Sequence, residues 1–204
     1  MTEKEKRLEA LREVLSGCRR CPLCSGRKKI VFGDGTPECR VMWIGEAPGM
    51  DEDLHGLPFI GRSGKLLRSL IQAIKMDPQK DCYIANVVKC RPPSNRPPED
   101  EEIEICVKFL QKQVEIIQPD FLILLGRTAV KGLLSDHRQT PIKILRDKSK
   151  NKELTYQDIP VIVTYHPSAL LRDPAKKKEA SEDFRYIQSV INCLYEPLSS
   201  ELPF

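Results

Sequence analysis

Eight cysteines stand in this chain, and three of them fall at Cys18-x-x-Cys21-x-x-Cys24. Two thiolates three positions apart can chelate one metal centre. Residues Met1 to Arg12 alternate acids and bases, with no apolar core followed by a cleavage site, so no secretory signal is visible. A reducing, cytoplasmic setting is expected, where thiols serve as metal ligands rather than as a disulfide framework. Thiol–disulfide exchange of the thioredoxin kind fits less well, because Cys18-x-x-Cys21 does not follow a strand within a βαβ unit. Cys39, Cys82 and Cys193 read as ordinary buried residues.

A second set of reactive residues lies in four short segments, each following an apolar run. They are Gly45-Glu46-Ala47-Pro48-Gly49, Lys89-Cys90-Arg91-Pro92-Pro93, Gly126-Arg127-Thr128 and His166-Pro167-Ser168. Of the three histidines only His166 sits in such a segment; His55 and His137 read as loop residues. Gly45 and Gly49 allow backbone geometry closed to other residues, and Pro48 stiffens the turn between them, so a ligand can approach the main chain closely. No G-x-G-x-x-G is present, and Gly61-Arg62-Ser63-Gly64-Lys65 lacks the spacing of a phosphate-binding loop, which weakens nucleotide-cofactor readings.

The elements that must carry these segments alternate. Apolar periodicity predicts helices over Lys4–Leu15, Ser63–Lys75, Glu99–Gln118 and about Ser181–Leu194. The third is opened by Pro97, Pro98 and several acids, which suit the positive end of a helix dipole. Between them, Val41–Ile44, Tyr83–Val88, Phe121–Leu125 and Val161–Tyr165 are rich in β-branched and aromatic residues and read as buried parallel strands. The polar stretch Asp136–Ile159 is expected to form a hairpin or irregular excursion. The pattern predicts an α/β fold, three-layer α/β/α, with a central four-stranded mainly parallel sheet. In such sheets ligands bind outside the carboxyl ends of the strands, so the four segments converge on one cleft.

Composition permits more than it demands. The 204 residues are 40% apolar, enough for one domain with its own core. A net charge of +4 does not by itself require a polyanionic partner. Bases do cluster at Arg19, Arg20, Arg27, Lys28 and Lys29, and again at Arg172 and Lys176–Lys178. The longest apolar run, Phe121–Leu125, is far short of the ~20 residues of a membrane span, so no membrane partner is expected.

From Cys18 to about Arg172 the chain resembles the family 4 uracil-DNA glycosylases. The resemblance is carried by Gly45–Gly49, by Leu57-Pro58-Phe59-Ile60-Gly61-Arg62-Ser63-Gly64, by Tyr83 through Pro93, and by His166-Pro167-Ser168-Ala169-Leu170-Leu171-Arg172. It implies one domain over 1–204, with an N-terminal helix and cluster-binding segment at 1–30. It also implies a [4Fe-4S] cluster on Cys18, Cys21, Cys90 and Cys106. Cys106 lies on the apolar stripe of its helix and also suits a core residue, Cys24 is an alternative to Cys21, and zinc on four thiolates is chemically open.

The activity implied is hydrolysis of the N-glycosidic bond of uracil flipped out of DNA. Gly45 and Ala47 would line the pocket, Phe59 would stack on the base, and Asn86 would read its edge. His166 would stabilise the leaving uracil anion. Glu46 stands where the best-known uracil glycosylases carry a water-activating aspartate motif; it would orient water, stabilise the sugar cation or exclude the thymine methyl, with Glu52 and Asp53 as weaker candidates for the water. Ser168, Leu170, Leu171 and Arg172 would meet DNA, the leucines as a wedge. Cys90-Arg91-Pro92-Pro93 lacks the features of related proteins that trap uracil covalently, which favours turnover. The expected partner is uracil-containing DNA, single- or double-stranded, met by a monomer. The competing reading is a non-catalytic iron-sulfur DNA-binding module related to glycosylases.

Overall fold

The computed structural model describes residues 1–195. In chain order they form α1 (Glu3–Ser16), β1 (Asp34–Gly35), β2 (Val41–Gly45), α2 (Met50–His55), α3 (Arg62–Ala73), β3 (Cys82–Asn86), α4 (Asp100–Ile117), β4 (Phe121–Leu125), α5 (Arg127–Leu133), α6 (Ile142–Lys150), β5 (Thr155–Tyr156), β6 (Ile159–Thr164), α7 (Pro167–Arg172) and α8 (Lys176–Tyr195). The sheet order is β1-β3-β2-β4-β6-β5. The expected four strands are its parallel centre, β3-β2-β4-β6. Two strands of two residues each add antiparallel edges, so the sheet has six strands rather than four.

Alternation along the central strands splits the core between the two faces. Met42, Ile44, Leu122, Leu124, Val161 and Val163 join the side chains of α1, α4 and α5. Val41, Trp43, Ile123 and Ile162 point the other way, to Leu67 and Ile71 of α3 and Phe184 and Ile187 of α8. Trp43 is fully buried and stacks on Phe184 with ring centroids 5.6 Å apart. Helices therefore cover both faces, as a sheet of apolar parallel strands requires. None of the helices of the described residues is long and apolar enough to cross a membrane.

The stretch after α5 holds the expected hairpin, β5 with β6, and also a helix that was not expected. Asp136–Ile159 holds the end of a 3₁₀ turn, the helix α6 and the short hairpin strand β5. The inward face of α6 presents Leu145, Arg146 and Ser149, so its helical period is written partly in polar residues. Arg146 forms a two-pronged ion pair with Asp183 of α8, at 2.6 and 3.0 Å. The same carboxylate accepts from Lys150 at 2.8 Å and from the Thr164 hydroxyl at 2.7 Å. The Ser149 hydroxyl accepts from the Val163 amide at 3.2 Å. Through these contacts α6 and α8 grip the end of β6, the strand that delivers His166. His55 and His137, expected in loops, close α2 and a 3₁₀ turn respectively, and Cys193 is exposed rather than buried.

Asp183 is fully buried beneath two cations. Asp183→Ala would strand both charges, and is expected to lower stability by about 3–5 kcal/mol in urea unfolding. A loss under about 1 kcal/mol would show that the network is not what fixes the strand end.

Candidate active site

The carboxyl ends of the parallel strands open on a cavity of about 590 Å³ whose walls include Glu46, Ala47, Phe59, Asn86, His166 and Ser168. Gly45 and Asn86 are register partners at the ends of β2 and β3. Asn86 is 2% exposed, and its Oδ1 is buried with no hydrogen-bond partner. An unpaired buried acceptor costs stability, so a donor brought to this amide oxygen would be favoured. A Cβ on Gly45 would stand 2.4 Å from Phe59 Cζ and 2.5 Å from Asn86 Oδ1. Only glycine leaves the phenyl ring and the amide free to face the same space.

Phe59 reaches that place through a left-handed backbone, with φ of 53°. Gly64 makes this possible, because a Cβ there would fall 2.0 Å from the Phe59 carbonyl carbon. Arg68 of α3 then holds the loop, donating to the carbonyls of Phe59 (3.0 Å) and Pro58 (3.2 Å) while paired to Asp34 at 2.7 Å. Glu52 fastens the facing loop. Its carboxylate accepts from the amides of Gly49 (3.1 Å), Ile60 (2.9 Å) and Gly61 (2.8 Å). These three bonds make Glu52 an anchor of both loops, and it also lines the cavity. Asp53 Oδ1 accepts from the amides of Lys28 and Lys29, tying the N-terminal segment to α2.

His166 sits 5.7 Å from the Phe59 ring centroid, tilted by 38°. Its Nδ1 accepts from the Ser168 amide at 3.2 Å, with the Ser168 hydroxyl 2.8 Å away. Because an amide can only donate, a neutral ring carries its proton on Nε2. Burial, aided by the nearby Arg172 charge, pushes the imidazole pKa down to about 4. The site therefore holds a neutral imidazole that donates. Glu46 is half-buried, and its Oε2 accepts from the Thr128 hydroxyl. Of the two leucines expected as a wedge, Leu170 is buried and Leu171 is exposed. Arg172 lines the cavity, as do Arg96 and Arg127, each held by protein oxygens.

Behind this wall the thiols gather. Cys90 and Cys106 belong to one buried core cluster, with Cys18 and Cys21 packed against it. Cys24 ends the adjoining 3₁₀ turn, Pro22–Cys24. Arg27 donates to Cys90 Sγ at 3.5 Å, and the Lys89 amide donates to Cys106 Sγ at 3.3 Å. Burial pushes the Cys106 thiol up to about 12, opposed by the Lys89 amide and ammonium. Burial raises Cys90 likewise, opposed by Arg27. Lys89 itself is fully buried, with its Nζ on the Gln113 side-chain oxygen (2.5 Å) and the Phe32 carbonyl (3.1 Å). Loss of water drags it down to about 7, and Cys106 is the charge that opposes this. Among the described residues no three His, Cys, Asp or Glu side chains close round a point as a single metal ion needs.

Residues 32–188 of this three-layer α/β chain match the pattern of the Uracil DNA glycosylase superfamily. Three type-4 uracil-DNA glycosylases are similar along most of their length. That of Sulfurisphaera tokodaii is 39% identical over 90% of this chain and 84% of its own. That of Archaeoglobus fulgidus is 40% identical over 88% and 90%. That of Thermotoga maritima is 38% identical over 94% and 98%. The chain belongs to the type-4 uracil-DNA glycosylase family.

Sequence reasoning missed Arg68 and the structural parts of Glu52 and Gly64. For Glu52 a signal existed, an acid three residues after the Gly49 cap, which is half of a capping box. The imidazole offers a test. His166 titrates near 4 in the fold against an ordinary 6.5, so the unfolded chain binds more protons between those values. Stability from this group is complete above about pH 6.5 and is lost as pH falls toward about 4. Urea midpoints of His166→Gln are therefore expected to depend less on pH across that window than those of the parent. Parallel pH curves would mean that the ring is not held neutral.

Proposed function

We propose that the chain removes uracil from single- or double-stranded DNA, as a monomer, by hydrolysing the N-glycosidic bond of a flipped nucleotide. The observation that carries this reading is the unpaired, buried Asn86 Oδ1 facing the space beside Phe59 and His166. Uracil offers a donor at N3 and an acceptor at O4, which one amide meets in a single orientation. Cytosine offers the reverse pair, so the same amide rejects it. Phe59 supplies an apolar face for the ring, which offsets part of the few kcal/mol lost on unstacking. Leu171, the exposed member of the leucine pair, enters the gap left in the stack, with Ser168 and Arg172 against the backbone.

In the reaction the C1′–N1 bond breaks and its electron pair passes to uracil, leaving positive charge on the sugar. The neutral His166 donates from Nε2 to uracil O2, where the new negative charge gathers. A donor that is not itself charged still stabilises the anion without attracting anions in the ground state. Glu46 faces the developing sugar cation and orients the water whose oxygen bonds to C1′. The water's proton leaves to uracil or solvent, and the products are uracil and an abasic site.

The donor set of Cys18, Cys21, Cys90 and Cys106 fits a [4Fe-4S] cluster. All four are sulfur and two of them receive N–H donors, a suitable setting for an anionic thiolate cluster. When bound, such a group supplies a covalent staple between the N-terminal segment and the loop after β3. Purified protein is expected to contain iron and acid-labile sulfide in equal amounts, about four of each per chain; zinc without sulfide would replace the cluster with a mononuclear site.

An oligonucleotide bearing one uracil is expected to yield an abasic site, and tight binding without product at any salt concentration would leave only a DNA-binding module. Asn86→Asp removes the donor to O4 and places a charge against the leaving anion. A loss of about 10²–10³ in single-turnover rate on uracil is expected, with weaker preference over cytosine. An unchanged ratio of uracil to cytosine rates would dismiss the amide as the reader.

A further inference from the structure

The third strand end has no part in the steps above, yet it reaches the reaction centre. Gly126 follows β4 with φ of 84°, and its amide donates to the Thr164 carbonyl at 2.9 Å. A Cβ there would lie 3.0 Å from the Cβ of His166. The chain is thus drawn tight against the histidine turn before it enters α5. That path brings Thr128, which is 7% exposed, across from the Gly45–Gly49 turn, where its hydroxyl donates to Glu46 Oε2.

A glutamate has three side-chain torsions, and at the half-buried rim of a cavity several rotamers compete. The turn that carries Glu46 is fixed by main-chain bonds, from the Val87 amide to the Gly45 carbonyl and from the Val88 amide to the Glu46 carbonyl, both 3.0 Å. Those bonds place the backbone and leave the carboxylate free to swing. The Thr128 hydroxyl restricts that freedom, because it engages one carboxylate oxygen of a side chain that lines the cavity. We propose that Thr128 is the positioning residue of Glu46, selecting the rotamer in which the carboxylate faces the sugar and its water. The inference rests on the assignment of Glu46 made above. It gives Gly126-Arg127-Thr128 a purpose that the other three strand ends already have.

The test is a double-mutant cycle read by single-turnover cleavage of a uracil oligonucleotide. Thr128→Val keeps the shape and removes the donor. It is expected to slow the maximal rate by about 10- to 100-fold, the usual worth of a hydrogen bond to a charged group, with half-saturation by DNA unchanged. Thr128→Ser is expected to restore most of that rate. In a Glu46→Gln background Thr128→Val should add little further loss. A wild-type rate in Thr128→Val, or an equal loss in both backgrounds, would overturn the proposal while leaving Glu46 in place. A wild-type rate in Glu46→Gln would instead remove the Glu46 assignment, and this proposal with it. If circular dichroism shows that the valine variant does not fold, Thr128→Ala enters the same cycle with the same expectations.

Discussion

The pairing of β2 with β3 ends with Gly45 opposite Asn86, and the chemistry of the cavity hangs on that register. Parallel strands point their carboxyl ends the same way, so the register that fixes one strand end fixes its neighbours. A shift by one residue would turn Asn86 from the cavity to a face of the sheet and present Ala85 in its place. The absence of a side chain at Gly45 matters as much as the presence of one at Asn86, because both the amide and the Phe59 ring occupy the room a Cβ would need. Side chains of the central strands pack into two separate core clusters, one on each face, and that packing holds the register.

Around that register the protein spends polar groups on holding loops. Glu52 joins the turn after β2 to the loop of Phe59, Arg68 joins the same loop to α3 and Asp34, and Asp53 joins α2 to the N-terminal segment. Each acts mainly on main-chain groups, and each is at least partly withdrawn from water. A hydrogen bond to a charged group in such surroundings is stronger and more directional than one at the surface. On the far side, Arg146, Asp183 and Thr164 do the same for the strand that ends at His166. The thiol segment is placed by a similar device, with Asp53 below it and the N–H donors of Arg27 and Lys89 directed at sulfur.

Much of this was legible in the sequence, for physical reasons that can be named. The four central strands declared themselves because buried parallel strands need apolar residues on both sides, which leaves continuous runs such as Phe121–Leu125. Glu46, Asn86 and His166 stood out because each interrupts or ends such a run with a group that costs energy to bury. The edge strands β1 and β5 were illegible, since two residues carry no period. Helix α6 was hidden because Arg146 and Ser149 occupy its inner face and find their partners far away in the chain, on α8 and β6. Arg68 and the supporting part of Thr128 escaped for the same reason, as did the bonds of Glu52 to Ile60 and Gly61: they act on groups brought near only by the fold. Thr128 lay within a segment singled out for its position, yet nothing in Gly126-Arg127-Thr128 names Glu46 as its partner.

If Phe59 faces the flipped base as proposed, its left-handed turn, with Gly64 beneath it and Arg68 clamped on its carbonyls, bears on how that base is judged. The entropy of shaping the slot is spent once, when the chain folds, and not again at each encounter. A molecule that must sample a great many ordinary bases for every altered one gains from such stiffness. In such a slot a misfitting base would meet walls already held by hydrogen bonds, and discrimination would become a matter of dwell time.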